Sequence, residues 1–84
     1  MTIFAVFGSR TQCLDYVSYL DKYGVVAQAV ATPKEARVGC GLSARFNSQY
    51  KVKAKAVLAL RKYSSFKGFF KIDYSFGEAR VVPC

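Results

Sequence analysis

Several residue types are missing or scarce in this chain. It has no histidine, no tryptophan, one methionine and two prolines. Without histidine it lacks the commonest general base, the Ser-His and Cys-His dyads, and imidazole ligands for zinc. These absences argue against a hydrolase of the usual kind. No residue pattern indicates a metal site or a cofactor.

Cysteine is scarce too, with residues only at Cys13, Cys40 and Cys84 and no C-x-x-C pair. An odd number in a short chain argues against a disulfide scaffold. The N-terminal apolar run lacks a basic segment and is too short for a signal peptide. No run approaches the roughly 18 apolar residues that suggest a membrane span. We therefore expect a cytoplasmic protein that does not enter a membrane.

The composition favours one folded domain over residues 1–84. Of the 84 residues, 52% are hydrophobic and 15% are aromatic, which is too apolar for a disordered chain. No linker, repeat or low-complexity tract divides the sequence. The formal net charge of +8 favours anionic partners without saying which kind.

Apolar periodicity and turn residues predict six elements. Ser9 with Gln12 is a capping-box pattern at a helix start, and Gly24 is a typical helix stop. Near the C-terminus, Phe70 begins an alternating strand pattern. The predicted order is a strand over 3–7, a helix over 10–23, a strand over 25–31, a strand over 42–46, a helix from 47 or 48 to 63, ended by a glycine at 68, and a strand over 70–76.

This βαββαβ order predicts an α+β, ferredoxin-like fold with a four-stranded antiparallel sheet and both helices on one face. In such a fold three loops share one end of the sheet: residues 8–9, 34–41 and 64–68. The apolar helix residues expected to be buried are Cys13, Val17 and Leu20 in the first helix and Val52, Ala56, Ala59, Leu60 and Tyr63 in the second.

Cys40 is the candidate reactive residue, because Gly39 and Gly41 leave its sulfur approachable. Lys34 and Arg37 are close in sequence, and cations and a helix N-terminus both stabilise a thiolate. The alternative is a small turn residue without chemistry. We expect Cys13 to pack in the core, and Cys84 to be a mobile tail thiol far from Cys40.

The stretch from Thr32-Pro33-Lys34 through Cys40-Gly41 to Arg45-Phe46 resembles the selenium/sulfur carrier-protein-like family. In that family a Thr-Pro-basic segment precedes Cys-Gly and then a strand that ends in Arg-Phe. The resemblance implies that Cys40 carries reactive sulfur or selenium, supplied by a donor protein. Family members often have serines before the Cys-Gly pair, whereas here Arg37-Val38-Gly39 occupy these positions.

Positive charge is concentrated in one part of the chain. Residues 36–72 contain nine lysines and arginines and no acidic residue. Lys51, Lys55 and Lys62 form a stripe along the second helix, and Lys67 follows it. The simplest interpretation is a solvated face. The alternative is a surface that binds tRNA or another anion through its phosphates.

The segment 67–74, KGFFKIDY, is similar to the aromatic motif of RNA-recognition domains. In those domains the motif lies on the third strand and a helix follows it. Here it follows the second helix and predicts the fourth strand, and Phe70 replaces a glycine. Most of these aromatic residues are therefore expected in the core.

Three functions remain open. The first is a sulfur or selenium carrier that uses Cys40, with Lys34 and Arg37 as activating cations. The second is a basic RNA-binding module that uses Lys51, Lys55, Lys62 and Lys67. The third is an oligomeric, regulatory ferredoxin-like domain that pairs through its sheet. In all three cases we expect a carrier or binding protein rather than an enzyme.

Overall fold

The computed structural model describes residues 2–32, 41–73 and 80–84. Within them lie five strands, two helices and a single 3₁₀ turn. The elements are β1 (Thr2–Phe7), α1 (Arg10–Lys22), β2 (Ala27–Ala31), β3 (Leu42–Asn47), the 3₁₀ turn Ser48–Tyr50, α2 (Lys51–Arg61), β4 (Phe66–Asp73) and β5 (Arg80–Pro83). The α+β class is therefore confirmed.

The five strands form one sheet in the order β2-β3-β1-β4-β5, and every neighbouring pair is antiparallel. The arrangement is roughly ferredoxin-like, but the prediction of four strands is wrong. β5 was missed because Pro83 lies in a short apolar segment close to the chain end. A proline is tolerated in a strand at the edge of a sheet, and β5 is at such an edge.

One core lies between the sheet and the helices. On β1 the alternate residues Ile3, Ala5 and Phe7 face it. Buried residues of both helices join the same cluster: Cys13, Tyr16 and Leu20 from α1, and Ala54 and Val57 from α2. Both helices therefore pack on one face of the sheet, as the alternation predicts.

The first helix closely follows its prediction. Ser9 is its N-cap, and the side chain of Ser9 accepts a hydrogen bond from the Gln12 backbone N–H. The glycine stop is also present, because Gly24 has a φ of 79° directly after the C-cap Tyr23. Cys13 and Leu20 are fully buried, and Val17 packs against the core as a partly buried residue.

The predicted buried face of the second helix is wrong. Val52 is 83% exposed and Leu60 is 65% exposed, and Ala56 and Ala59 are also exposed. The buried residues of α2 are Ala54 and Val57, and Leu58 and Tyr63 are partly buried against the core. The α2 sequence is apolar on more than one side, so its periodicity does not select a unique face.

The segment after α2 differs from its prediction as well. Lys62, with a left-handed φ of 51°, ends the helix, and Gly68 lies inside β4. Val6 pairs with Gly68 and Phe7 pairs with Phe66, so Lys67 is an extra, bulged residue. The predicted strand positions 74–76 lie outside the described residues.

The bulge explains why two aromatic residues three positions apart both face the helices. Without a bulge, Phe66 and Phe69 would point to opposite faces of the sheet. Both join the core instead, with ring centroids 5.0 Å apart. On the other face of β1, Phe4 and Val6 are 7% and 1% exposed. Phe4 therefore offers little open surface for stacking a base.

Candidate functional site

The candidate thiol Cys40 and its predicted cations Lys34 and Arg37 lie outside the described residues. Their roles remain predictions. The residues that flank this segment, Thr32 and Gly41, are described, and both lie where β1 ends. We call this end of the sheet the rim and define it as residues 7–9, 32, 41 and 64–67.

Gly41 is tightly packed against the end of β1. A Cβ atom at this position would lie 2.3 Å from the carbonyl oxygen of Phe7 and 3.5 Å from Oγ1 of Thr32. The first distance is far below any normal contact, and backbone atoms cannot easily move away. Position 41 therefore requires glycine, which explains in physical terms one residue of the Cys-Gly pair.

The two sides of the segment 33–40 are joined at the rim. The backbone N–H of Thr32 donates to the carbonyl oxygen of Gly41 at 3.3 Å. The hydroxyl groups of Thr32 and Ser43 are hydrogen-bonded at 2.9 Å, and Ser43 is fully buried. The chain therefore leaves β2 and enters β3 at one place beside the end of β1.

The N-terminus of α1 lies at the same rim and is tied to the loop that follows α2. The N–H of Gly8 donates to the carbonyl oxygen of Ser65 at 2.9 Å, and the N–H of Ser9 donates to the Ser65 hydroxyl at 3.1 Å. The side-chain oxygen of Gln12 accepts from the backbone N–H and the hydroxyl of Ser65. Its amide nitrogen donates to the Ser64 hydroxyl.

These contacts confirm part of the capping-box prediction and correct the rest. Ser9 caps the helix as expected. However, the side chain of Gln12 bonds to Ser65 and not back to the N–H of Ser9. The sequence pattern cannot show this, because the alternative partner is more than fifty residues away.

The predicted meeting of three loops is supported by the described residues. Gly8 and Ser9, the flanking Gly41, and Ser64 and Ser65 all lie at the rim. Lys67 adds a cation there: a Cβ at Gly8 would lie 3.3 Å from Cε and 3.8 Å from Nζ of Lys67. The helix N-terminus and this ammonium group both give the rim a positive potential.

The four predicted nucleic-acid-binding lysines do not form a single cluster. Lys67 lies at the rim, and Lys62 ends α2 on the approach to it. Lys51 is the first residue of α2, at the opposite end of that helix. Lys55 lies between them, with its ammonium group 5.9 Å from the centroid of the Phe69 ring. A role in binding nucleic acid remains a prediction for all four.

The Arg-Phe pair that follows the Cys-Gly motif lies away from the rim. Phe46 is 3% exposed and packs in the core. Arg45 is exposed and donates a hydrogen bond to the side chain of Gln28 on β2. A cavity of about 350 Å³ opens at this far end of the sheet, and it is lined by Thr2, Val26, Gln28, Arg45, Phe46, Asn47, Gln49 and Tyr50.

The two described cysteines are both free thiols in unlike surroundings. Cys13 is fully buried, and burial raises the pKa of its thiol to about 11. A core role for Cys13 is thus confirmed, and its thiol is the opposite of an activated one.

The prediction that Cys84 is a mobile tail residue is wrong. Its backbone N–H donates to the carbonyl oxygen of Phe69 at 2.9 Å, and the residue packs partly buried against the core. β4 does run away from the rim, but β5 turns back alongside it. Cys84 is therefore anchored beside the middle of β4.

A polar cluster that was not predicted from the sequence joins the two helices. The carboxylate of Asp15 accepts from Arg61 at 2.8 Å and from the Tyr63 hydroxyl at 2.6 Å. These two hydrogen bonds hold the pKa of Asp15 below its usual value. Burial, and then the hydrogen bond to Asp15, raise the pKa of Tyr63 to about 12. The guanidinium of Arg61 also lies 4.4 Å from the centroid of the Tyr19 ring.

The only signal for this cluster is that Asp15 is an acid in a strongly basic chain. Its partners are distant in sequence, so pairing them requires knowing how the helices dock. The hydrogen bonds of this cluster hold the C-terminal end of α2 against α1, just before the loop of Ser64 and Ser65. It therefore positions that loop at the rim.

The described residues thus form a small α+β fold, with a five-stranded antiparallel sheet and both helices on one face. Among protein families, the one described as Putative Se/S carrier protein-like matches residues 2–70. The chain belongs to this family. The match includes the segment 33–40 and the whole rim, whereas β5 lies beyond it. Neither the curated proteins nor the solved structures contain a match to the chain.

Both described helices are short, with 13 residues in α1 and 11 in α2. Neither α1 nor α2, the helices in the described ranges 2–32, 41–73 and 80–84, is long and apolar enough to cross a membrane.

Proposed function

We propose that this protein carries a sulfane sulfur or selenium atom on Cys40 between a donor and an acceptor. The single observation that supports this most is the rim itself. It packs Gly41, the residue bonded to Cys40, against Phe7 at the end of β1, two residues before the N-cap of α1. The Lys67 ammonium group lies beside Gly8 in the same turn. Family membership supplies the class of cargo.

The loading step needs only a nucleophilic thiolate and a donor persulfide. The Cys40 thiolate attacks the outer sulfur of the donor, a new S–S bond forms, and the S–S bond of the donor breaks. The donor sulfur leaves as a thiolate and takes up a proton from solvent. No external oxidant or reductant is consumed, because the sulfane sulfur keeps its oxidation state. Selenium would follow the same course.

Thiolate formation is the step that the rim assists. A helix N-terminus carries about half a positive charge and favours an anion nearby. Lys67 adds a further positive charge, and Lys34 and Arg37 are predicted to do the same. Of the two described thiols, buried Cys13 is unsuitable because its pKa is raised to about 11.

Intact mass spectrometry after incubation with a small-molecule persulfide donor tests the proposal. We expect one added sulfur atom on the wild-type chain and on Cys84→Ser, and none on Cys40→Ser. Cys84→Ser is the matched control because it too removes one thiol, and Cys84 is only partly buried. Loading that persists in Cys40→Ser and is lost in Cys84→Ser would contradict the assignment.

The rate of alkylation against pH tests the electrostatic argument separately. Iodoacetamide should modify Cys40 with an apparent pKa clearly below the ordinary value of about 8.5. Lys67→Gln should raise that pKa while the chain stays folded. A value near 8.5 in the wild-type chain would show that the rim does not activate the thiol.

The nature of the acceptor is a narrower prediction. Contact with tRNA would be expected from Lys67 at the rim and from Lys62 on the approach to it. Replacing both by glutamine should lower the salt slope of tRNA binding by up to about 0.9 per lost phosphate contact. An unchanged slope would assign these lysines to solubility alone.

A further inference from the structure

The outer face of α2 carries an apolar stripe. Val52 and Leu60 are 83% and 65% exposed, and Ala56 and Ala59 between them are exposed as well. These four positions are spaced so that they lie together on one side of a helix. The opposite side of α2 is already occupied by the core, through Ala54 and Val57. The stripe is therefore a surface that no part of the chain in the ranges 2–32, 41–73 and 80–84 covers.

Lysines border this stripe on both sides. Lys51 and Lys55 lie one turn apart along one border, and Lys53 lies along the other. Lys53 is held in place, because its ammonium group donates to the carbonyl oxygen of Tyr23 at 3.1 Å. No acidic residue occurs anywhere in the sequence from 36 to 72. The pattern is an apolar strip between two positive edges.

We propose that this face of α2 docks an acidic, amphipathic helix of a partner protein. A helix with an apolar stripe between carboxylates is complementary to it in both charge and polarity. Nucleic acid fits less well, because phosphates gain nothing from contact with the exposed Val52 and Leu60. A membrane surface also fits less well, since a stripe of one leucine, one valine and two alanines offers little apolar depth.

The exposed face of α2 also leads toward the rim. α2 ends at Arg61, and the loop directly after it contains the rim residues Ser64 and Ser65, which accept hydrogen bonds from the Gln12 side chain and from the Gly8 N–H. A helix docked along α2 would therefore bring its protein to the rim. This last point rests on the proposed function, because a donor or acceptor must reach Cys40. The docking itself does not.

The test uses a synthetic, fluorescein-labelled peptide helix with a leucine stripe flanked by glutamates, and measures its binding to the full chain by fluorescence anisotropy. Binding should be saturable and should weaken as salt rises. Val52→Ser with Leu60→Ser should weaken it about tenfold or more, because two apolar contacts are lost. Lys51→Gln with Lys55→Gln should weaken it severalfold and reduce its salt dependence.

Leu14→Ser with Val26→Ser is the matched control, since these residues are 52% and 70% exposed but lie outside α2. That variant should bind as the wild type does. Ala56→Glu puts a carboxylate into the stripe with little cost to the helix, and it should abolish binding, whereas Ala56→Gln should weaken it less. The thermal unfolding of each variant shows whether it is folded.

Two results would overturn the proposal. One is equal weakening by the stripe variant and by its Leu14, Val26 control. The other is absence of peptide binding while vesicles of phosphatidylcholine and phosphatidylserine, or an RNA hairpin, bind in a manner that depends on Val52 and Leu60. None of these measurements involves sulfur loading. Failure here would therefore leave the carrier proposal intact, and a chain that fails to load sulfur could still bind the peptide.

Discussion

The two helices pack on the same face of the sheet, yet they contribute to the core very differently. α1 buries Cys13, Tyr16 and Leu20 completely. α2 buries only Ala54 and Val57 completely, and turns Val52 and Leu60 toward solvent. A helix can therefore pack on the sheet and still leave an apolar side exposed.

The difference arises from the two sequences and from one contact between the helices. In α1 the polar residues Asp15, Ser18 and Lys22 mark the outer side, so only one face can be buried. α2 has apolar residues on several sides. In the observed rotation of α2, the Tyr16 hydroxyl donates to the carbonyl oxygen of Ala54 at 2.7 Å in a buried position.

The largest expected effect compares one leucine in each helix. Leu20→Ala should lower the free energy of unfolding by about 3 kcal/mol, because it leaves a cavity in the core. Leu60→Ala should change it by no more than about 0.5 kcal/mol, since the side chain is already exposed. Urea denaturation of both variants measures the difference. Equal losses would mean that Leu60 is buried after all.

The next largest loss of stability should follow from removing the hydrogen bond between the Tyr16 hydroxyl and the Ala54 carbonyl oxygen. Tyr16→Phe removes the hydroxyl that donates to Ala54 and should cost about 1.5 kcal/mol of unfolding free energy. Tyr23→Phe is the control, because Tyr23 is 45% exposed, and it should cost less than about 0.5 kcal/mol. If the two variants were equally stable, this hydrogen bond could not be what orients α2.

Removing the side-chain cap should cost more stability at the start of α1 than at the 3₁₀ turn before α2. Ser9→Ala removes the side-chain cap of α1 and should cost about 1 kcal/mol. Asn47→Ala removes the oxygen that accepts from the N–H of Gln49 in the 3₁₀ turn before α2. It should cost less, because this turn is short and exposed. Thermal denaturation of the pair provides the measurement, and a larger loss for Asn47→Ala would reverse the ranking.

The smallest effect concerns the ion pair that joins the helices. The pKa of Asp15 is lowered in the folded state, so its contribution is present above the unfolded pKa of about 3.9. It is lost as pH falls through the folded pKa. Because the side chains of Asp15 and Arg61 are both partly exposed, we expect their ion pair to contribute only about 0.5 kcal/mol to the free energy of unfolding.

Asp15→Asn should therefore be slightly less stable than the wild type at pH 7, and the two should converge near pH 2. Urea titrations at the two pH values provide the comparison. A difference that persists at pH 2 would show that the Asn variant loses packing and not an ion pair.

Much of the architecture could be predicted from local patterns. The β1 run, the Ser9 cap and the Gly24 stop are local signals, and each places an element close to its observed bounds. The bulge at Lys67 and the Gln12–Ser65 contacts could not be predicted. Both depend on which residues of distant elements come to lie opposite each other, and periodicity holds no information on that.

The candidate site, too, could be predicted from the sequence only in part. The Cys-Gly motif pointed to Cys40, and chain order predicted which loops share the rim. The need for glycine at position 41 became visible only in the structure, because the atom it avoids is the carbonyl oxygen of Phe7. The same holds for Lys67, whose approach to Gly8 follows from a register shift.

The sequence by itself determined the α+β class, the family, the basic charge and the buried face of α1, because each of these depends on residues close together in the chain. Only the tertiary structure decided the fifth strand, the face that α2 turns to solvent and the residues that line the rim. Strand pairing and helix rotation are choices among surfaces of similar polarity. The contacts that settle them, such as Tyr16 to Ala54 and Cys84 to Phe69, form only when the whole chain is folded.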